Sequence, residues 1–181
     1  MNRYYTAEDF RRITARIREI DADTGIATDV MVGFPTETDR AFETTVELVE
    51  DLRFSRLHVF KYSPRPGTAA AALKEQIPPR FVKQRSSHMI ELGKRLSEQF
   101  ARRFVGKTVE VLVESKRDPV TGWFSGFSSN YLRTAVRDAT ADMVNTVAKV
   151  VVEETVGANA VATTVAQVAR AGEVEARHGQ R

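Results

Sequence analysis

The sequence predicts an α/β fold in two parts, two parallel strands with their helices followed by a small five-stranded β-barrel. Three observations carry this. Two apolar runs, residues 26–32 and 56–62, flank one helical stretch, and strand, helix and strand within about forty residues make a βαβ unit with a right-handed crossover. The hydrophobic period changes at Gly106 from helical to alternating. Five short strand-like runs with turn signals between them then fill about sixty residues, as a small closed barrel requires.

Composition sets bounds on what the chain does. At 181 residues it holds one large domain or two small ones, and 42% apolar with 28% charged residues is ordinary for a globular protein. No window approaches the roughly 18 apolar residues of a membrane span. The opening MNRYYTAEDFRR has acidic residues and no apolar core, so it reads as no signal peptide and the expected location is the cytoplasm, away from membranes. There is no cysteine, which excludes disulfides, zinc–thiolate sites and cysteine-ligated iron–sulfur clusters built from this chain. A net charge of +3 is too small to argue for nucleic acid by itself.

Each element has its own signal. Thr6 caps a helix with Glu8 and Asp9 in its first turn and Phe10, Ile13, Ile17 and Ile20 on its apolar face. Asp23-Thr24-Gly25 closes it as a turn. The strand 26–32 is mostly apolar, as a parallel strand covered on both faces would be, with Asp29 its one charge. The turn after Gly33 opens a helix at about Thr38, buried along Phe42, Val46, Val49 and Leu52. After the strand 56–62, two prolines and a glycine make 63–68 a loop, and 69–79 a connection. A long helix runs from about Pro79 to Arg103, apolar along Val82, Met89, Leu92, Leu96 and Phe100. Its surplus of bases, Arg85 among them, reads as a solvated face, with a contribution to nucleic-acid binding as the alternative. The barrel strands are expected at 108–114, 122–127, 131–136, 147–154 and 161–165, with a polar connection through Lys116 and Arg117. This strand count fits the oligonucleotide-binding type of barrel.

Ligands gather at the carboxyl ends of parallel strands, so the loops after Gly33 and Tyr62 form the candidate edge. Asp29 is either a satisfied structural carboxylate or a group at that mouth, and His58 reads as a packed strand histidine. Arg65, between two prolines, has little packing reason to be there and suits a carboxylate or a phosphate. In the barrel, Trp123, Phe124, Phe127 and Tyr131 offer stacking faces, while Lys107, Lys116, Arg117 and Arg133 can meet phosphates. Strand alternation turns about half of those aromatics inward.

The strings TDVMVGFPTET and LHVFKYSPRPGT, separated by one helix, resemble the C-terminal part of the radical-SAM tRNA methylthiotransferases. The resemblance runs from MNRYYT to the end of the barrel. It implies that residues 1–103 are the end of a radical-SAM (βα) barrel, 104–168 a TRAM domain with an OB-like RNA-binding barrel, and 169–181 a flexible tail. It further implies contacts to S-adenosylmethionine (SAM) from Gly33, Pro35, Glu37, Tyr62 and Arg65, and to RNA from Lys107, Lys116, Arg117, Trp123, Phe127, Asn130, Tyr131 and Arg133. HVFKYSPRPGT is most similar to the branch that adds a methylthio group to carbon 2 of N6-threonylcarbamoyladenosine beside the tRNA anticodon, with the isopentenyladenosine branch the near alternative. The family uses SAM and 4Fe-4S clusters, for which this chain has no ligands, so the expectation is a fragment inactive alone, with no catalytic or metal residues of its own. A truncated gene or an internal start is the simplest account. The rival expectations are a free-standing TRAM-type RNA-binding protein and the C-terminal subunit of a split enzyme, whose separate partner polypeptide supplies the cysteine-containing domains.

Overall fold

A computed structural model describes residues 4–170, with side chains through 166, so all but the first residues of the expected tail lie outside it. The chain divides into two compact units between Ser97 and Glu98.

In the first unit, α1 (Ala7–Ile20) begins at a capping box: the Thr6 hydroxyl accepts the Asp9 N–H, and the Asp9 carboxylate accepts the Thr6 N–H. Its predicted apolar face is only partly used. Phe10 and Ile17 are half-buried, whereas Ile13 and Ile20 are exposed. β1 (Ala27–Val32) pairs in parallel with β2 (Arg56–Lys61), Ala27 opposite Arg56 through Val32 opposite Lys61. Between them lies α2 (Asp39–Leu52), capped by the Thr38 hydroxyl, which accepts the Ala41 N–H at 3.1 Å. A short helix, α3 (Ala69–Ala72), occupies part of the expected connection because Thr68 caps it. It leads to α4 (Pro79–Arg102).

Val30 and Val32 bury against Val49 and Leu52 of α2 and Met89, Leu92 and Leu96 of α4. This corrects the expectation of a strand covered on both faces. Ala27, Asp29 and Met31 alternate with the buried residues and are exposed, because the helical cover described lies on one side.

The second unit holds β3 (Thr108–Arg117), β4 (Phe124–Ser128), β5 (Arg133–Val136), β6 (Thr146–Val156) and β7 (Asn159–Arg170). They close into a barrel in the order β3-β4-β5-β7-β6, with β5 and β7 parallel and the other adjacent pairs antiparallel. Phe100, Ala101 and Phe104 enter its core beside Val111, Val113, Val136, Val150 and Val152.

All five strands form, with shifted ends. Lys116 and Arg117 belong to β3 rather than to a connection, since a register slip between Glu114 and Arg117 lets the strand continue. β4 and β5 start later than expected, because Gly122 and Tyr131 take positive φ, +73° and +62°, that no strand accommodates. β7 runs well beyond 165 because β6 pairs with it over nearly its whole length. Gly126 is needed where β4 runs close beside β3: a Cβ there would lie 1.8 Å from the Leu112 carbonyl oxygen.

Candidate functional site

In the first unit, the GFPTET turn is knitted to α4. Gly33 has φ +76°, and the space where its Cβ would stand is filled by Val82. Its N–H donates to Glu37 Oε2 at 2.8 Å. Arg85 Nη1 donates to the same oxygen at 2.6 Å and to the Glu37 carbonyl at 2.9 Å, while Nη2 reaches Asp39 Oδ1 at 2.7 Å. The Arg85 side chain is 8% exposed and that of Glu37 12%, so this is a nearly buried pair, with the Phe42 ring beneath the guanidinium. Burial opposes the charge on Arg85, but its bonds to Asp39 and Glu37 outweigh it and hold its pKa above the ordinary value. The expected solvated face of α4 is thereby corrected at this position. In the sequence nothing sets Arg85 apart from the other bases of α4. The signal that points to it is the acidic pair Glu37 and Asp39 at a helix start, which requires a counter-cation.

The five residues assigned to the edge therefore divide. Pro35 is fully buried in the turn, and the charge of Glu37 is already compensated by Arg85. Gly33 and Tyr62 line a pocket of about 680 Å³, together with Lys61, Val82 and Lys83. The Tyr62 ring stands edge-on to Phe34, and its hydroxyl is buried with no hydrogen-bond partner. Arg65 is exposed in the loop after β2 and has no ion-pair partner among the described residues.

Asp29 and His58 face each other across β1 and β2, His58 Nδ1 lying 3.3 Å from Asp29 Oδ1, both well exposed. His58 is thus not packed in the core. The pair opens on a second pocket of about 540 Å³ bordered by Tyr5, Phe10, Met31 and Phe60.

In the second unit, the barrel brings arginines onto aromatic rings. Arg117 lies 4.0 Å from the centre of the Phe124 ring, and Arg133 5.2 Å from that of Phe127, its direct partner across β4 and β5. Arg137, not singled out in the sequence, lies 4.9 Å from the centre of the Trp123 ring and pairs with Glu153 and Glu154. Arg133 also donates to Ser125 Oγ, and Arg117 to the Gly122 carbonyl, so these guanidinium planes are held in place. Phe124 is the inward aromatic, Trp123 and Phe127 are half-buried, and Tyr131 projects from its turn at 77% exposure. Lys116 is exposed on β3, Lys107 lies against Phe104, and Asn130 accepts a bond from the Ser128 hydroxyl. Asp118 is buried beneath this edge. Burial pushes its pKa up, but the Thr121 and Val120 N–H groups, the Thr121 hydroxyl and the Arg133 charge more than compensate and lower it.

The class defined is thus a two-unit chain: an α/β unit with a clamped strand-to-helix edge, and a closed five-stranded barrel carrying arginine–aromatic stacks. No family model matches it. Among curated proteins, the chain is 45% identical over 129 residues to the tRNA-2-methylthio-N(6)-dimethylallyladenosine synthase of Thermobifida fusca, a match covering 70% of this chain. It is 41% identical over 133 residues to the threonylcarbamoyladenosine tRNA methylthiotransferase of Thermotoga maritima, covering 74%. A third relative, the dimethylallyladenosine-type synthase of Thermosipho melanesiensis, is 43% identical over 117 residues, 64% of this chain. The chain spans only 26% to 30% of the length of these three relatives. Over the matched part it is homologous to tRNA methylthiotransferases.

Proposed function

We propose that this chain is the C-terminal part of a tRNA methylthiotransferase, residues 1–103 ending a radical-SAM barrel and residues 104–168 forming a TRAM domain that holds tRNA. The observation that carries this reading is the identity of 45% to a tRNA-2-methylthio-N(6)-dimethylallyladenosine synthase and of 41% to a threonylcarbamoyladenosine tRNA methylthiotransferase, each over 70% or more of the chain. The arginine–aromatic stacks support an RNA-facing barrel, since unstacked bases pack on guanidinium planes and aromatic rings while exposed lysines meet phosphates. The threonylcarbamoyladenosine branch is the reading we favour for the substrate, from HVFKYSPRPGT.

The cofactors of the family belong to this reading too. Iron–sulfur clusters need cysteine thiolates, and a sequence without cysteine does not fit them. SAM fits in part: Arg65 is exposed and the buried Tyr62 hydroxyl lacks a hydrogen-bond partner, whereas Pro35 and Glu37 are committed to the turn. No catalytic step is therefore assigned to these residues. On this reading the cysteines needed for activity lie outside the given sequence, either on the same polypeptide or on a separate partner chain.

The test is tRNA binding by the chain across a salt series. Weak binding with a steep salt slope is expected, reduced several-fold when Arg117, Arg133 and Arg137 are all changed to Gln. Anticodon stem–loops carrying threonylcarbamoyladenosine should bind better than those carrying dimethylallyladenosine. Absence of tRNA binding at low salt, or binding indifferent to the three arginines, would overturn the barrel as the RNA site.

A further inference from the structure

The pocket at the carboxyl ends of β1 and β2 has a chemistry of its own. Lys61 and Lys83 both line it, and neither makes an ion pair among the described residues. No carboxylate lines it: Glu37 and Asp39, the acids of the adjacent turn, are turned to Arg85. The buried Tyr62 hydroxyl lies in the same wall without a partner, where a buried polar group ordinarily has one. The rest of the lining is largely apolar, through Ile77 and Val82. A volume of about 680 Å³ lies within the range of sites that take a small molecule or one nucleotide.

Two uncompensated ammonium groups and one hydroxyl donor select an anion. SAM is a poor match for that charge, because its sulfonium and ammonium outweigh its single carboxylate and leave it net positive. A phosphodiester or phosphate monoester is negative, and its oxygens accept from ammonium and hydroxyl donors alike. We infer that this pocket is a phosphate-binding site formed by Lys61, Lys83 and Tyr62, and that it takes a backbone phosphate of the bound RNA. The RNA as source rests on the tRNA reading above; the phosphate chemistry does not.

The experiment uses the whole chain in two arms. In the first, tRNA affinity is measured over a salt series for the natural sequence and for the Lys61→Gln/Lys83→Gln double variant. The variant should bind several-fold more weakly, and its slope of log affinity against log salt should be shallower by roughly 0.7 to 0.9 unit, the value for one phosphate. In the second, amine acetylation of Lys61 and Lys83 is followed by mass spectrometry with inorganic phosphate or SAM added at constant ionic strength. Phosphate should slow both lysines and SAM should not, and Tyr62→Phe should weaken the protection. Protection by phosphate with no change in tRNA affinity supports the phosphate site and assigns it to a free phosphorylated molecule. Protection by SAM but not phosphate overturns the inference, as does tRNA binding identical in affinity and slope together with no phosphate protection. In the last case the tRNA reading still stands. If the natural chain binds no tRNA, that reading fails while the phosphate arm still decides this one.

Discussion

Replacing Arg85 by Ala removes the group that ties α4 to the start of α2, and the cost can be worked from its contacts. The bonds lost are two to Glu37, at 2.6 and 2.9 Å, and one to Asp39 at 2.7 Å. The Asp39 side chain is 89% exposed, so its bond is worth no more than about 1 kcal/mol. Glu37 is different, since a nearly buried carboxylate left without its cation loses charge-assisted bonds worth about 1.5–3 kcal/mol. It keeps the Gly33 N–H, which limits the damage. The net expectation is a loss of about 2–4 kcal/mol, a rise of about 30- to 700-fold in local opening. Trp123, the one tryptophan, lies in the barrel and does not report on this unit, so the assay is hydrogen exchange followed by mass spectrometry on peptides covering 27–41. The control is Arg95→Ala, whose partner Glu50 is half-exposed and whose loss should cost less than about 1 kcal/mol. If Arg85→Ala and Arg95→Ala change exchange equally, the clamp described here is wrong.

Other perturbations test other parts. Gly126→Ala forces a methyl group against the Leu112 carbonyl and should cost the barrel about 3 kcal/mol or more, read by Trp123 fluorescence in urea; an unmoved midpoint refutes this close approach of β4 to β3. Gly33→Ala combines a left-handed backbone with a clash against Val82, so adding Val82→Ala should relieve the clash but leave a residual of about 1–2 kcal/mol in hydrogen exchange. The folded-state pKa of Asp118 is lowered, so its stabilisation is present above the unfolded value of about 3.9 and is lost as pH falls through that range. Asp118→Asn should therefore flatten the acid side of the barrel's stability profile, and an unchanged acid slope counts against this. Val32 is fully buried and Phe60 half-exposed, so Val32→Ala should cost about 2 kcal/mol and Phe60→Ser less than about 1, by the same exchange measurement; the reverse order would mean the open strand face is covered.

Much of the fold is legible because period and punctuation agree locally. The apolar run of β1, the capping residues Thr6 and Thr38, and the change at Gly106 each specify an element without reference to the rest of the chain. Strand ends are less legible where the backbone departs from the period: a bulge carries β3 on to Arg117, and Tyr131 at φ +62° delays β5. The site is the least legible part. Arg85 lies 48 residues from Glu37, and nothing within α4 distinguishes it from neighbouring exposed bases. The pairing of Arg137 with Trp123 depends likewise on which residues the barrel's closure makes neighbours.

The GFPTET turn shows how a motif is split between support and contact. Gly33 must be glycine because its φ is positive and Val82 fills the space beside it. Its N–H requires Glu37, Glu37 requires Arg85, and Arg85 comes from the helix that also presents Val82 and Lys83. These dependences close on themselves, so the turn and the first part of α4 are fixed as one piece. A carboxylate committed in this way is poorly placed to act as the principal contact for an incoming ligand. The groups left uncompensated beside it, Lys61, Lys83 and the Tyr62 hydroxyl, are the ones a ligand can satisfy. Lys83 leaves the part of α4 that this turn fixes, so its backbone is in place before an anion arrives, and only the exposed lysine side chains still have rotamer freedom to lose.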